Sequence, residues 1–315
     1  MTGETLLTGQ RTRIRVFDVA TRTARTVHET TEMLFEAPNW TADGRLIVNG
    51  EGVLWSLPVA GGEPEPITID GIPALNNDHV LHPSGDTILV SANDFHLYEA
   101  PIGGGTARRI TSADGPLHFL HGVHPDGSTL AYVRLEPQGD DWWASATIHE
   151  IGIDGSRDRA VTTHPGPADG PEYSPDAAWI YLNTEQFTPG RAQIARIRPD
   201  GSDLEQLTFD ERVNWFPHLS PKGDWAVYLS FPAGTTGHPA DKDVELVLID
   251  LVDGPSMAGP QAGVWSAGEV VARFNGGQGT INVNSWSPDG SAFAYVDYPV
   301  DGEEHPAVDN QEHHV

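Results

Sequence analysis

A short turn motif recurs six times along the chain, and it restricts the possible folds more than any other feature of the sequence. Each copy reads x-Ser-Pro-Asp-Gly or a close variant, and an alternating run of apolar residues follows it. The copies end at Gly44, Gly85, Gly127, Ala177, Gly223 and Gly290. Pro presets φ for a tight turn, and Asp and Gly suit its polar and positive-φ positions. Each copy therefore predicts a turn between two β-strands.

Each turn belongs to a unit of four predicted strands. One strand enters the turn and a second leaves it, as in Trp225–Leu229. A third strand, such as Val244–Leu248, leads to a Gly-rich turn, and a fourth closes the unit, as in Gln206–Thr208. Antiparallel four-stranded units that repeat at about 40–50 residues are typical of propeller blades.

The sequence therefore predicts an all-β fold, a six-bladed β-propeller of four-stranded antiparallel blades. The sixth unit has only two strands, and the missing pair is found near the start of the chain, at Arg13–Phe17 and Ala24–Val27. We expect the N-terminal and C-terminal strands to close the last blade together, which removes exposed sheet edges. Residues 1–300 are predicted as one propeller, and residues 301–315 as an acidic, His-containing flexible tail.

Charge limits the partners of the protein. The sequence has 18 Lys and Arg residues against 45 Asp and Glu residues, so its formal net charge is −27. This charge excludes nucleic acid and disfavours anionic membranes, because both need a basic surface. We see no signal peptide and no apolar stretch of about 20 residues, so we expect a cytoplasmic protein. Cys is absent, which excludes disulfides and thiolate metal sites.

The combination of a Ser-Pro-Asp-Gly turn, an alternating strand, a Gly-rich turn and a Leu-Thr pair resembles the repeat of the TolB-like, WD40-like (PD40) propeller family. This resemblance covers nearly the whole chain and implies the fold, but one fold hosts many activities. The periplasmic Tol–Pal member of that family has an additional N-terminal domain and a signal peptide, which this sequence does not show. The repeats are also similar, more weakly, to those of oligogalacturonate lyases, which are larger and carry a His-rich metal site in the central channel.

Four residues in the strand-entry segments occupy matching positions in successive units. His79 and His121 lie equally far before the turn Pro, and Glu172 and His218 share the next position. Because the inner strands of a propeller surround one axis, these side chains are predicted to meet and to bind a divalent metal ion such as Mn²⁺ or Zn²⁺. The alternative is that they are buried polar residues that only form hydrogen bonds between blades or to channel water.

Other polar and aromatic residues at the same end of the blades are candidates for ligand binding. The predicted contacts are Asn77, Asp78, Arg134, Trp143, Gln193, Asn214, Trp215 and Asn284. Aromatic faces and planar amides suit sugar rings, while Arg suits a carboxylate. The alternative for Arg134 and Arg191 is pairing with neighbouring acidic residues such as Glu136 and Glu185.

Two classes of function remain open. The first is a metal-dependent carbohydrate-active enzyme, a lyase or hydrolase that acts on a uronate- or sugar-containing small saccharide or oligosaccharide at the top of the channel. The lyase version, implied by the resemblance, uses the metal to bind the substrate carboxylate, and His118, His238 and Arg191 are candidates for taking the proton. The second is a non-catalytic propeller that binds a protein or ligand through its top face. The converging imidazoles favour the enzyme.

Overall fold

The alternation of apolar residues and Gly-rich turns produces a molecule built almost entirely of short strands. The structure is a computed structural model that describes residues 5–112, 115–137, 141–252 and 261–302. Most of the predicted tail, residues 303–315, lies outside the described residues, so the flexible tail stays a prediction. The described helices are a 3₁₀ turn at Trp143–Ser145 and α1 (Ala262–Trp265).

The strands follow one another as successive blades. The chain starts with two strands of the last blade, β1 (Thr12–Asp18) and β2 (Thr23–Thr30). The first complete blade has β3 (Phe35–Trp40), β4 (Arg45–Gly50), β5 (Val53–Pro58) and β6 (Glu65–Ile67). The next segment has β7 (Ile69–Asp70), β8 (Leu75–Leu81), β9 (Thr87–Ala92), β10 (Leu97–Pro101), β11 (Gly105–Thr106) and β12 (Arg108–Arg109). Within it, β8, β9, β10 and β12 form the second blade, and β7 pairs with β11 in a small parallel sheet.

Three further blades have the same order. The third consists of β13 (Leu117–Val123), β14 (Thr129–Leu135), β15 (Thr147–Gly152) and β16 (Arg159–Ala160). The fourth consists of β17 (Ala168–Tyr173), β18 (Ile180–Thr184), β19 (Gln193–Ile197) and β20 (Glu205–Gln206). The fifth consists of β21 (Val213–Leu219), β22 (Trp225–Phe231), β23 (Lys242–Asp250) and β24 (Glu269–Gly276), and β25 (Ala292–Asp297) follows it.

The last blade joins the two ends of the described chain. β25 pairs antiparallel with β1 from Arg13 opposite Asp297 to Asp18 opposite Ala292, and β2 lies outside β1. The inner position is filled by an irregular segment, in which Trp286 forms an isolated bridge with Phe293. The prediction of an all-β, six-bladed propeller with a shared last blade is confirmed.

Hydrophobic packing lies between neighbouring blades and leaves the axis to polar residues. Val133 of the third blade, for example, belongs to the same buried cluster as Leu182 and Ala195 of the fourth. A second cluster contains Val16 of the last blade and Val48 of the first. The inner faces of packed sheets supply such cores.

The inner strands are interrupted at the ends where they enter the blades. β-bulges or related shifts of register occur between Glu36 and Asn39, Leu75 and His79, Leu120 and Gly122, Asp169 and Glu172, and Trp215 and His218. Three residues at these sites have left-handed backbone, with φ of +53° at Ala37, +60° at Gly170 and +54° at Phe216. Bulges re-aim side chains, and strained backbone concentrates at functional sites. The interrupted ends are therefore the place to look for a site.

Candidate functional site

A cavity of about 900 Å³ opens where the interrupted ends of the inner strands meet. Residues from all six blades line it, including Glu36, Asp78, His121, Asp169, Phe216 and Asn282. Its size lies in the range of ligand-binding pockets. We call the end of the ring where it opens the cavity face; the Ser-Pro-Asp-Gly turns, which follow the far ends of the inner strands, lie at the opposite face.

Three buried charged residues from neighbouring blades meet in this cavity. The Nε2 of His121 lies 3.1 Å from Oδ1 of Asp169 and 3.9 Å from Oδ1 of Asp78. Its Nδ1 donates a hydrogen bond to the carbonyl of Asn282 at 3.2 Å. The His121 ring stacks on Phe216, with ring centroids 5.7 Å apart. We call Asp78, His121 and Asp169 the axial triad.

The two carboxylates keep His121 charged. Burial would lower the pKa of His121, but the charges of Asp78 and Asp169 more than offset burial and raise the pKa to about 9. Burial raises the pKa of Asp78 to about 6, although His121 opposes the rise. Burial also favours the neutral form of Asp169, but His121 and a backbone hydrogen bond from Gly170 hold its pKa below the usual value. At neutral pH the axial triad therefore carries one positive charge and up to two negative charges.

An aromatic wall, which consists of Phe119, Trp143, Phe216 and His238, lines the cavity beside the axial triad. His238, on the loop between β22 and β23, lies with its Nε2 3.9 Å from Oδ2 of Asp169. Its ring packs edge-on against Trp215 at 4.4 Å and Phe216 at 5.2 Å. Trp143 also lines the cavity and donates from its indole nitrogen to Glu185 at 3.0 Å. Burial lowers the pKa of His238, so this ring joins the wall in its neutral form.

The structure does not assemble the four predicted metal ligands. His218 uses both ring nitrogens, its Nδ1 with Glu172 at 2.6 Å and its Nε2 with the carbonyl of Ile281 at 2.8 Å. His79 is fully buried, its Nδ1 bonds to the side chain of Asn39, and burial lowers its pKa to about 3. Among the described residues, no three His, Asp or Glu side chains are arranged to hold a metal ion. The ligand set therefore does not fit a metal, and the divalent ion gains no support from this geometry.

Glu172 has a structural position between blades. Its Oε1 accepts hydrogen bonds from the backbone N–H of Leu219 at 2.9 Å and from the side chain of Asn284 at 2.7 Å, and its Oε2 faces His218. Asn284 also donates to the carbonyl of Leu219 at 2.8 Å. Glu172, His218 and Asn284 thus form the inter-blade network that was the alternative to metal ligation.

The three predicted catalytic residues lie in different surroundings. His238 lines the cavity, but His118 does not; its Nδ1 donates to the carbonyl of Phe95 at 2.8 Å. Arg191 forms an ion pair with Glu211 at 3.1 Å. Neither His118 nor Arg191 lines the described cavity, so the three do not form a catalytic group.

The predicted ligand contacts divide between the cavity and the blade interior. Asn77, Asp78 and Trp143 line the cavity. The remaining five are used elsewhere: Arg134 pairs with Glu136, Gln193 donates to the carbonyl of Arg212, Asn214 bonds to Asp210 and Ser230, Trp215 is fully buried beside Trp143, and Asn284 lies in the network described above.

Sequence reasoning missed several residues of the cavity. Asp169 and Asn282 lie in strand-entry segments, but counting from the turn selects neither of them. Glu36 and Phe216 are also missed, because each lies beside a bulge that the sequence does not mark. The available signal was the shared strand-entry position, and the bulges displace the side chains that simple counting from the turn selects.

Comparison with known proteins agrees with the propeller fold. No family model matches the sequence. The uncharacterized protein Atu1656 of Agrobacterium fabrum is 40% identical over 295 residues, which cover 91% of this chain and 92% of that protein. A solved structure from Agrobacterium tumefaciens, provisionally assigned as TolB, has a TM-score of 0.80 and 37% identity, and the match covers 92% of this chain and 99% of that one.

The chain belongs to the TolB-like β-propeller family.

More distant members and neighbours share the fold alone. TolB from Acinetobacter baumannii has a TM-score of 0.55 and 15% identity, over 89% of this chain and 56% of that one. An oligogalacturonate lyase in complex with manganese has a TM-score of 0.53 and 13% identity, over 77% of this chain and 71% of that one.

The prediction of a metal-dependent carbohydrate-active enzyme is wrong. The Agrobacterium tumefaciens structure that is 37% identical to this chain is provisionally assigned as TolB. The oligogalacturonate lyase is only 13% identical, so its similarity is one of fold only. The weaker lyase resemblance in the repeats reflects a shared blade architecture, which does not carry a shared activity.

In the part of the chain that the structure describes, no helix has the length and apolar character needed to span a membrane. The cytoplasmic location stays a prediction.

Proposed function

We propose that this protein is a non-catalytic TolB-like propeller that binds a protein partner at its cavity face. The observation that carries the proposal is the cavity itself, because all six blades contribute to it and its polar groups converge on the axis. Propellers present such sites at the end of the axis, where loops from every blade meet. Membership of the TolB-like family supports a binding role.

The fixed charges of the axial triad suit the recognition of a partner. A general base must be unprotonated near the working pH, whereas His121 is protonated at neutral pH because two carboxylates raise its pKa. His238 is neutral, but its closest described acidic partner is 3.9 Å away, so the two are not joined by a hydrogen bond. The cavity therefore offers fixed charges and aromatic surfaces, which are features of recognition.

Site-specific photo-crosslinking in native cells tests the proposal. A photoreactive amino acid at Ala74 or Asn93, which are exposed residues lining the cavity, should give a discrete crosslink to one and the same protein. The matched control is the same amino acid at Asp126, an exposed turn residue at the opposite face. Absence of a crosslink from both cavity positions, or an identical pattern from Asp126, would contradict the proposal.

A further inference from the structure

We infer that the cavity binds the ammonium or guanidinium group of a Lys or Arg side chain, carried on a peptide segment of the partner. The inference rests on the proposed function and names the chemistry that the same site recognises. Three observations carry it: the sign of the charge, the open carboxylate oxygens and the apolar wall.

The described lining of the cavity is acidic and contains no Lys or Arg. Four carboxylates line it, those of Glu36, Glu51, Asp78 and Asp169, against the single charged imidazole of His121. The chain as a whole carries a formal charge of −27. A cleft lined by charges of one sign concentrates the electrostatic field, so it attracts a partner that carries the opposite charge. A cationic ligand group is therefore attracted into the cavity.

Two buried carboxylate oxygens have room for a donor. Oδ1 of Asp78 lies 3.9 Å from the nearest His121 nitrogen, and Oδ2 of Asp169 lies 3.9 Å from Nε2 of His238. Both distances are too long for a hydrogen bond. The side chains are only 6% and 8% exposed, so their contact with water is limited to the cavity. A buried carboxylate needs charged or hydrogen-bonding partners, and a ligand ammonium or guanidinium supplies N–H donors of the right charge.

The aromatic wall suits the alkyl stem of a Lys or Arg side chain. Phe119, Trp143, Phe216 and His238 line the cavity with the carboxylates. Lys and Arg pack their alkyl stems on apolar surfaces and place their charged ends at polar groups. Aromatic faces also attract cations directly. A deep cavity with an aromatic wall and carboxylates at the axis therefore matches an extended basic side chain better than a compact inorganic ion.

Peptide selection followed by binding measurements tests the inference. Peptides of random sequence are selected on the immobilised full chain, and their dissociation constants are measured by calorimetry. Replacing the peptide Lys by norleucine, or Arg by citrulline, should weaken binding at least tenfold. Asp78→Asn should weaken binding at least tenfold and Glu51→Gln, at the exposed rim, severalfold. Glu63→Gln removes an exposed carboxylate outside the cavity and should change nothing.

The free amino acid derivative N-acetyl-lysine methylamide distinguishes a small amine from a peptide segment. It should bind far more weakly than the selected peptides, and equal affinity would overturn the assignment to a peptide. Selected peptides that need no basic residue, or that bind Asp78→Asn and Glu51→Gln as tightly as the wild type, would overturn the inference. In that case the photo-crosslinks from Ala74 and Asn93 would still report on the docking function, so the two failures can be told apart.

Discussion

At the scale of single residues, burial and neighbouring charge decide the state of two equivalent histidines. His79 and His121 occupy the same position in neighbouring blades, and both are buried. His79 faces the amide of Asn39, and burial lowers its pKa to about 3. His121 faces Asp78 and Asp169, which raise its pKa to about 9 against the effect of burial. Repeat position was predictable from sequence, but the charge of each ring was not, because it depends on side chains from adjacent blades.

The raised pKa of His121 links stability to pH. The folded state holds this proton more tightly than the unfolded state, so the stabilisation is complete below pH 6.5 and is lost as the pH rises through about 9. Between these values, the free energy of unfolding of the wild type should fall relative to that of His121→Gln. Urea denaturation at intervals from pH 6 to pH 9.5 measures the difference.

The control for this experiment is His164→Gln, which changes an exposed His. Its stability profile should remain parallel to that of the wild type throughout the range. If the His121→Gln profile also ran parallel to the wild type, the carboxylates would not hold His121 in its charged form.

At the scale of elements, the turns were predictable and the bulges were not. Pro, Asp and Gly mark the turns directly in the sequence, and five of the six motif-final residues are Gly with φ between +69° and +80°. The bulge at Phe216 has no such mark, since a bulky residue rarely adopts φ of +54°. It is held by packing, with its backbone N–H bonded to the side chain of Asn183 in the preceding blade. Such long-range contacts decide which residues reach the cavity.

The exception among the six turns gives a test. Ala177 replaces the Gly of the motif and has φ of +57°. Because left-handed backbone costs a residue with a Cβ about 1–2 kcal/mol, Ala177→Gly should raise the free energy of unfolding by about 1 kcal/mol. Chemical denaturation measures this change.

Ala178→Gly is the matched control, because Ala178 does not have a positive φ. This substitution should lower stability, since Gly there adds freedom to the unfolded chain and removes a methyl group that packs on a hydrophobic cluster. If Ala177→Gly lowered stability to the same extent, the turn would not be strained.

At the scale of the whole molecule, one blade makes the ring continuous. The missing pair of strands in the sixth unit made this closure predictable from the order of the strands. The ion pairs that hold it were not predictable, because they join residues at opposite ends of the chain. Arg13 donates two hydrogen bonds to the buried carboxylate of Asp297, at 2.7 and 2.8 Å, and Arg15 donates a third at 3.3 Å.

Loss of this buried carboxylate should weaken the entire ring. Asp297→Asn leaves two Arg side chains without their charge partner, and we expect a loss of about 3 kcal/mol in the free energy of unfolding. Because every blade packs on its neighbours, Trp fluorescence and far-ultraviolet circular dichroism should report one transition with one midpoint.

An exposed ion pair in the same blade provides the comparison. Glu29 pairs with Arg11 at 3.2 Å, and both side chains are more than one-third exposed, at 42% and 34%. Glu29→Gln should therefore cost less than about 1 kcal/mol. A similar loss for both variants, or separate midpoints for the two signals, would contradict closure by Asp297.

The pairing of β1 with β25 also has a consequence during synthesis. β1 leaves the ribosome long before β25 is synthesised, so one hydrogen-bonding edge of β1 stays unpaired in the interval. Arg13 and Arg15 place like charges along that edge, and charged edges discourage pairing with a second copy. We therefore expect the arginines that bind Asp297 in the folded protein also to reduce association between nascent chains.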